Sequence, residues 1–87
     1  MYLWVDDERV APEGWVWAKT CGAALWLLSM ERVEKISLDH DLGGNDTTRP
    51  IVLWMCEHDI WPTEIYVHTQ NPVGREWLEG MIARYRK

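Results

Sequence analysis

Phenylalanine is absent from this chain, cysteine occurs only twice, and no apolar run approaches the length of a membrane span. Each absence excludes something. Cys21 and Cys56 stand far apart without Cys-x-x-Cys spacing, which argues against a disulfide framework or a cysteine-ligated zinc site. A bilayer needs ~20 consecutive apolar residues, and the N-terminus lacks the basic stretch and apolar core of a signal peptide. The expectation is a mature, cytoplasmic chain with no membrane partner. Positive charge is also scarce: nine Lys and Arg against fourteen Asp and Glu give a formal charge of −5. That balance opposes binding of duplex DNA, because phosphate contacts need clustered positive charge. A small nucleotide in a locally basic pocket is still compatible with it.

Seven tryptophans in 87 residues stand against the missing phenylalanine. Indole is large and carries an N–H that needs a partner, so it is rarely buried completely. Some of these rings are expected to meet a ligand, a partner or the solvent boundary. The length suits one domain, residues 1–87, with a modest core.

Tyr2-Leu3-Trp4-Val5 is a short apolar run stopped by Asp6-Asp7-Glu8-Arg9, the pattern of a buried strand that ends at a site. Ala11-Pro12-Glu13-Gly14 reads as a turn and Trp15 to Ala18 as a second strand. Of Trp15 and Trp17, one indole is expected to face the core. Thr20 is placed to cap a helix over residues 23–30, which is rich in Ala and Leu. Ile36-Ser37-Leu38 is a third strand, ending abruptly in Asp39-His40-Asp41, and Leu42 to Asp46 is a loop by composition. Pro50 suits the first turn of a helix running to about His58. Ile65-Tyr66-Val67 forms a fourth strand, and Trp77, Leu78, Met81, Ile82 and Tyr85 lay one apolar stripe on a last helix. Strands alternating with helices imply an α/β domain, its sheet largely parallel and covered by helices on both faces. Arg9 to Gly14 is too short for a helix, so a loop joins the first two strands, and their relative direction stays open.

Polar side chains collect at three strand ends: Asp6 to Arg9, Asp39 to Asp41, and His68 to Asn71. Open α/β sheets bind ligands beyond the carboxyl ends of their strands. Neighbouring strands lie ~4.8 Å apart, so these ends can converge on one phosphate-sized ligand. The residues also resemble a family. Leu3-Trp4-Val5-Asp6-Asp7-Glu8 is similar to the opening strand and acid pair of response-regulator receiver domains. Ile36-Ser37-Leu38-Asp39 is similar to their third strand, with Asp39 at the phosphoacceptor place, and Val67-His68-Thr69 to their fourth, with Thr69 at the switch hydroxyl. The runs Ile36 to Gly43 and Val67 to Gly74, with Gly14-Trp15 and Ala18-Lys19-Thr20, resemble the narrower group of receiver-like domains proposed to process cyclic phosphates. The resemblance implies a truncated receiver-like (flavodoxin-like) three-layer sandwich with strand order 2-1-3-4. The chain ends after the helix that follows strand four, so the receiver's fifth strand and its lysine have no counterpart here. Arg49-Pro50 stands where the narrower group often has a glycine.

Adjacent carboxylates beside a third one suit a divalent cation such as magnesium, which makes Asp6, Asp7 and Asp39 the candidate metal ligands. Opening a cyclic phosphodiester needs a base for water and an acid for the leaving alkoxide, and imidazole serves as either near neutrality. Asp39, His40 and His68 are therefore the candidate catalytic residues. Arg9 suits bidentate phosphate binding, Thr69 and Asn71 suit hydrogen bonds to phosphate oxygens, and Asp41 either joins them or caps the turn. Arg75 opens the last helix, whose amide-rich N-terminus favours an anion, and Trp15 is the candidate to stack on a base. These residues leave three readings open: a phosphoesterase acting on a cyclic-phosphate nucleotide or RNA end, a protein that sequesters such a nucleotide, and a degenerate receiver that pairs with a protein. A homo-oligomer is expected, because the missing fifth strand exposes the edge of strand four.

Overall fold

The computed structural model describes residues 1–86. Its elements run β1 (Tyr2–Val5), β2 (Val16–Ala18), α1 (Cys21–Met30), β3 (Lys35–Leu38), α2 (Arg49–His58), β4 (Glu64–Val67) and α3 (Pro72–Tyr85). The four strands form one sheet in the order β2-β1-β3-β4, and every neighbouring pair is parallel, which settles the direction of the first two. The result is a small receiver-like α/β fold with all four strands ending on the same side.

Local chemistry sets the helix boundaries. Thr20 caps α1 by accepting from the Ala23 amide at 3.1 Å. Pro50 lies in the first turn of α2, and Asp59 ends that helix in the left-handed conformation at φ 52°. Asn71 caps α3, its Oδ1 accepting from the amides of Val73 and Gly74, with Pro72 as the first helical residue. The core is one cluster: Leu3 and Val5 of β1, Ala18 of β2, Ile36 and Leu38 of β3, then Ala24 and Leu28 of α1, Ile51, Val52 and Met55 of α2, and Leu78 of α3. Full burial of each larger side chain contributes about 1.5–3 kcal/mol.

The layering differs from the expectation of helices on both faces. Leu3 aligns with Ile36, which aligns with Ile65, and Val5 aligns with Leu38 and Val67, so the core-facing positions all share one parity. The helices form a single row over that face, α1 against α2 and α2 against α3. Handedness explains this. From β2 through β3 to β4 the chain always advances in the same direction across the sheet, and right-handed crossovers then deliver every helix to one face. The molecule is accordingly a two-layer sandwich, with a shortest extent of 20 Å.

The opposite face holds aromatic rings and the loop 6–15. Trp17, Trp4, Ser37 and Tyr66 align across it in one row, and Tyr2, Lys35 and Glu64 in the next. Trp15 packs there against Tyr2 and Trp4, with ring centroids 5.5 and 6.0 Å apart. Neither Trp15 nor Trp17 enters the core, because residues two apart on an extended chain point the same way.

Candidate functional site

The three polar strand ends converge as the parallel sheet requires. A cleft of about 340 Å³ opens beyond the carboxyl ends of β1, β3 and β4, lined by Asp6, Asp7, Glu8, Arg9, Asp39, Asp41, Gly43, Thr69, Gln70 and Asn71. Five of these are acids and one is a base. Carboxylate oxygens of Asp6, Asp7 and Asp39 lie within 4.8 Å of one another. At that spacing each ionised pair repels by about 3.5 kcal/mol for an effective dielectric of 20. An all-oxygen, negatively charged donor set of this kind fits a hard divalent cation.

Asp6 is the anchor. It is 1 % exposed. Its Oδ1 accepts from the amides of Glu8 and Arg9, each at 2.9 Å, and its Oδ2 accepts from Nε2 of His68 at 2.9 Å. Burial is the largest single influence on its carboxyl and pushes it up. The two amides and His68 together outweigh burial and hold Asp6 below the usual carboxylate range. His68 moves down as well, chiefly because burial disfavours the imidazolium, against the pull of Asp6. The pair is thus an ionised carboxylate and a neutral ring near neutral pH. Nε2 carries the proton toward Asp6, and Nδ1 accepts from the Ser37 hydroxyl at 2.6 Å. Trp4 stacks on the ring at 3.9 Å and 7°.

Ser37, His68 and Asp6 are connected like a hydrolytic triad. Yet the serine is 3 % exposed within a strand and offers no approach to a substrate. With both nitrogens committed, His68 is present as a hydrogen-bond donor that fixes Asp6, and its ring stands behind the cleft wall. His40 has a parallel arrangement. Its ring is buried, Nε2 accepts from Arg49 Nε at 2.9 Å, and Nδ1 therefore donates to Asp41 Oδ1 at 3.0 Å. Asp41 Oδ2 accepts from Asn71 Nδ2 at 3.0 Å. The hydrogen bond from the Asn71 amide, joined by the His40 ring, lowers the Asp41 carboxyl.

The segment after β3 delivers these groups through a laced loop. The Thr48 hydroxyl donates to the Asp39 carbonyl, the Thr48 amide to the His40 carbonyl, and Asp41 pairs with Thr47. Asp39 accepts from the His40 amide at 2.8 Å. Gly43, at φ +91°, lets the loop close on Asp7, whose Oδ2 would lie 3.2 Å from an added Cβ.

The cleft wall thus brings together Asp6, Asp7, Arg9, Asp39, Asp41, Thr69 and Asn71 of the candidate residues. Arg9 Nη1 donates to the His68 carbonyl at 3.2 Å, and the Thr69 hydroxyl accepts from the Asn71 amide. Trp15 and Arg75 lie outside it. Arg75 braces the end of β4 by donating to the carbonyls of Val67 and Thr69. Sequence reasoning assigned no role to Ser37, Arg49 or Gln70. Arg49-Pro50 stood out as unusual, but its partner His40 is nine residues away and nothing in the spacing pairs them.

Fold and site define a receiver-class domain: a parallel sheet in the order 2-1-3-4 with an acidic cluster at the carboxyl ends of its strands. The chain belongs to the family of cyclic-phosphate processing receiver domains, whose family model matches residues 1–84. No curated protein and no solved structure gives a significant match. Among the described residues no helix is long and apolar enough to cross a membrane.

Proposed function

We propose that this domain captures a nucleotide or RNA end bearing a cyclic phosphate, through a divalent cation such as magnesium held by Asp6, Asp7 and Asp39. The carrying observation is the three carboxylates within 4.8 Å of one another in a cleft with a single guanidinium. An anionic phosphate meets net repulsion there unless a bound cation supplies a local positive centre that it can ligate. With the cation bound, Arg9, Thr69 and Asn71 are the side chains on the wall that suit phosphate oxygens, and Asp41 holds Asn71 in place. The family's name supplies the ligand class.

Capture is favoured over cleavage by one feature. Ring opening needs an acid at the leaving oxygen, and both imidazoles stand behind the wall with their nitrogens engaged. His68 acts in this reading as a positioning residue for Asp6. Calorimetric titration with 2′,3′- and 3′,5′-cyclic nucleotides, with magnesium and with chelator, tests the binding, and chromatography of the same mixtures tests turnover. Magnesium-dependent binding that Asp39→Asn abolishes in a folded variant is the expected result. Binding that survives chelation would sink the cation-first reading, and a linear phosphate product would convert capture into hydrolysis. β2 and β4 are the end strands of the sheet, and pairing along such an edge supports assembly into a homo-oligomer, for which light scattering at micromolar concentration is the check.

A further inference from the structure

The helix-free face of the sheet is unused by the cleft, although the two adjoin at His68 and Asp6. It carries aromatic rings on three of its four strands or their flanks: Trp15 and Trp17, Tyr2 and Trp4, and Tyr66. Tyr2 is 40 % exposed and Tyr66 47 %. Lysines lie among the rings. Lys19 Nζ rests 4.3 Å from the centroid of Trp17, and Lys35 Nζ 4.7 Å from that of Tyr2. Lys35 also pairs with Glu64 at 3.3 Å, so the face is close to neutral in a molecule of charge −5.

Size decides between occupants. Four strands ~4.8 Å apart and ~3.3 Å per residue give a face of at most about 250 Å², part of which the loop 6–15 occupies. A stable protein partner, a second copy included, needs about 800 Å² on each side. Two or three stacked bases match such a platform, since every base has a π-face and a four-stranded sheet with exposed aromatics accommodates that number. The rings also lead toward the cleft. Trp4 stacks directly on His68, and the Trp17 indole N–H donates to the Asp6 carbonyl at 2.7 Å.

We propose that this face binds the last two or three bases of a single-stranded RNA whose terminal cyclic phosphate lies in the acidic cleft. The inference rests on the cleft reading for the position of the phosphate, and it deepens that reading by naming the substrate class as an RNA end. Bases stack on Tyr66, Trp17 and Tyr2, displacing the lysines from the rings so that their ammonium groups meet the backbone phosphates. Duplex cannot lie on the face, because its bases are already stacked on one another.

The test uses the whole domain and three labelled probes in magnesium: a tetranucleotide RNA ending in 2′,3′-cyclic phosphate, the same RNA ending in 3′-hydroxyl, and a mononucleotide 2′,3′-cyclic phosphate. Tyr2→Ala combined with Tyr66→Ala removes two half-exposed rings. It is expected to weaken both tetranucleotides roughly tenfold or more and the mononucleotide, which seats one base at most, by less, and Tyr66→Phe is expected to restore most of the Tyr66 share. With two lysines engaged, the salt slope for the 3′-hydroxyl probe is expected near about −1.4. Equal tetranucleotide affinity in the wild type and the folded double variant overturns the inference. So does a wild-type dimer that the double variant dissociates, which would assign the face to a second copy. Failure of the cleft reading looks different: the cyclic phosphate gives no advantage over the 3′-hydroxyl, while ring dependence persists.

Discussion

At the scale of single residues, the site is organised by buried polar groups whose partners are all specified. Asp6 and His68 both titrate below their ordinary values of 3.8 and 6.5, and both shifts act in the same direction on stability. An imidazole that stays neutral longer in the folded state lets the unfolded chain take up its proton first as pH falls below 6.5. The folded state then loses ground until the lowered pKa is passed. For Asp6, stability is fully present above 3.8 and is lost as pH falls through the lowered value. In chelator, urea unfolding is therefore expected to show stability declining from pH 7.5 to pH 5, with a flatter profile in His68→Gln. An unchanged slope in that variant would show that His68 does not carry the dependence.

Gly74 gives a second prediction at this scale. A Cβ there would lie 2.3 Å from Cγ of the buried His40 ring. Gly74→Ala must push His40 off Asp41 and Arg49, and overpacking of this kind costs about 1–3 kcal/mol. Chemical denaturation measures it, and a neutral result would mean that the ring moves freely. The residue types of the cleft were legible as acids at strand ends. The imidazole orientations were not, because the partners of His68 are 31 and 62 residues away and no local pattern encodes such contacts.

At the scale of elements, Asn71 serves two structures at once, capping α3 with its oxygen and holding Asp41 with its nitrogen. The two roles separate by substitution. Asn71→Ala is expected to cost about 1 kcal/mol or more as a lost cap and to free Asp41. Asn71→Asp keeps a capping oxygen but sets a carboxylate against Asp41, so its thermal stability is expected to stay nearer the wild type while magnesium-dependent nucleotide affinity falls. If both variants bind as the wild type does, the Asp41–Asn71 contact is irrelevant to the cleft. Strand and helix positions were readable from apolar runs, Thr20 and the prolines. The layering was not, for a specific reason. Tyr2 and Trp4 are as apolar in pattern as Leu3 and Val5, so β1 has no polar alternation to mark which side lacks helices. The direction of chain advance decides that point: in the order 2-1-3-4, right-handed crossovers from β2 to β3 to β4 put all three helices on one face.

At the scale of the whole molecule, the cluster of acids links cation binding to folding. Repulsion among Asp6, Asp7 and Asp39 opposes the folded state, and a bound cation relieves it. Magnesium at about a hundred times its Kd is expected to stabilise the domain by about 2.7 kcal/mol. Thermal unfolding across a magnesium series reads this, and the shift is expected to vanish in Asp39→Asn. A wild-type protein indifferent to magnesium would remove the cation from the proposal.

The one-sided placement of the helices has a consequence for how this sequence can change. Along each central strand, successive residues answer to different requirements. Leu3, Val5, Ile36 and Leu38 are fixed by what packs above them, while Tyr2 and Tyr66, 40 % and 47 % exposed on the other side, answer in part to whatever arrives from outside. Drift in ligand preference can therefore accumulate on one side of the sheet without eroding the fold on the other. Exhaustive substitution of β1 would record that separation as tolerance at Tyr2 and intolerance at Leu3 and Val5, with Trp4 held by its stack on His68.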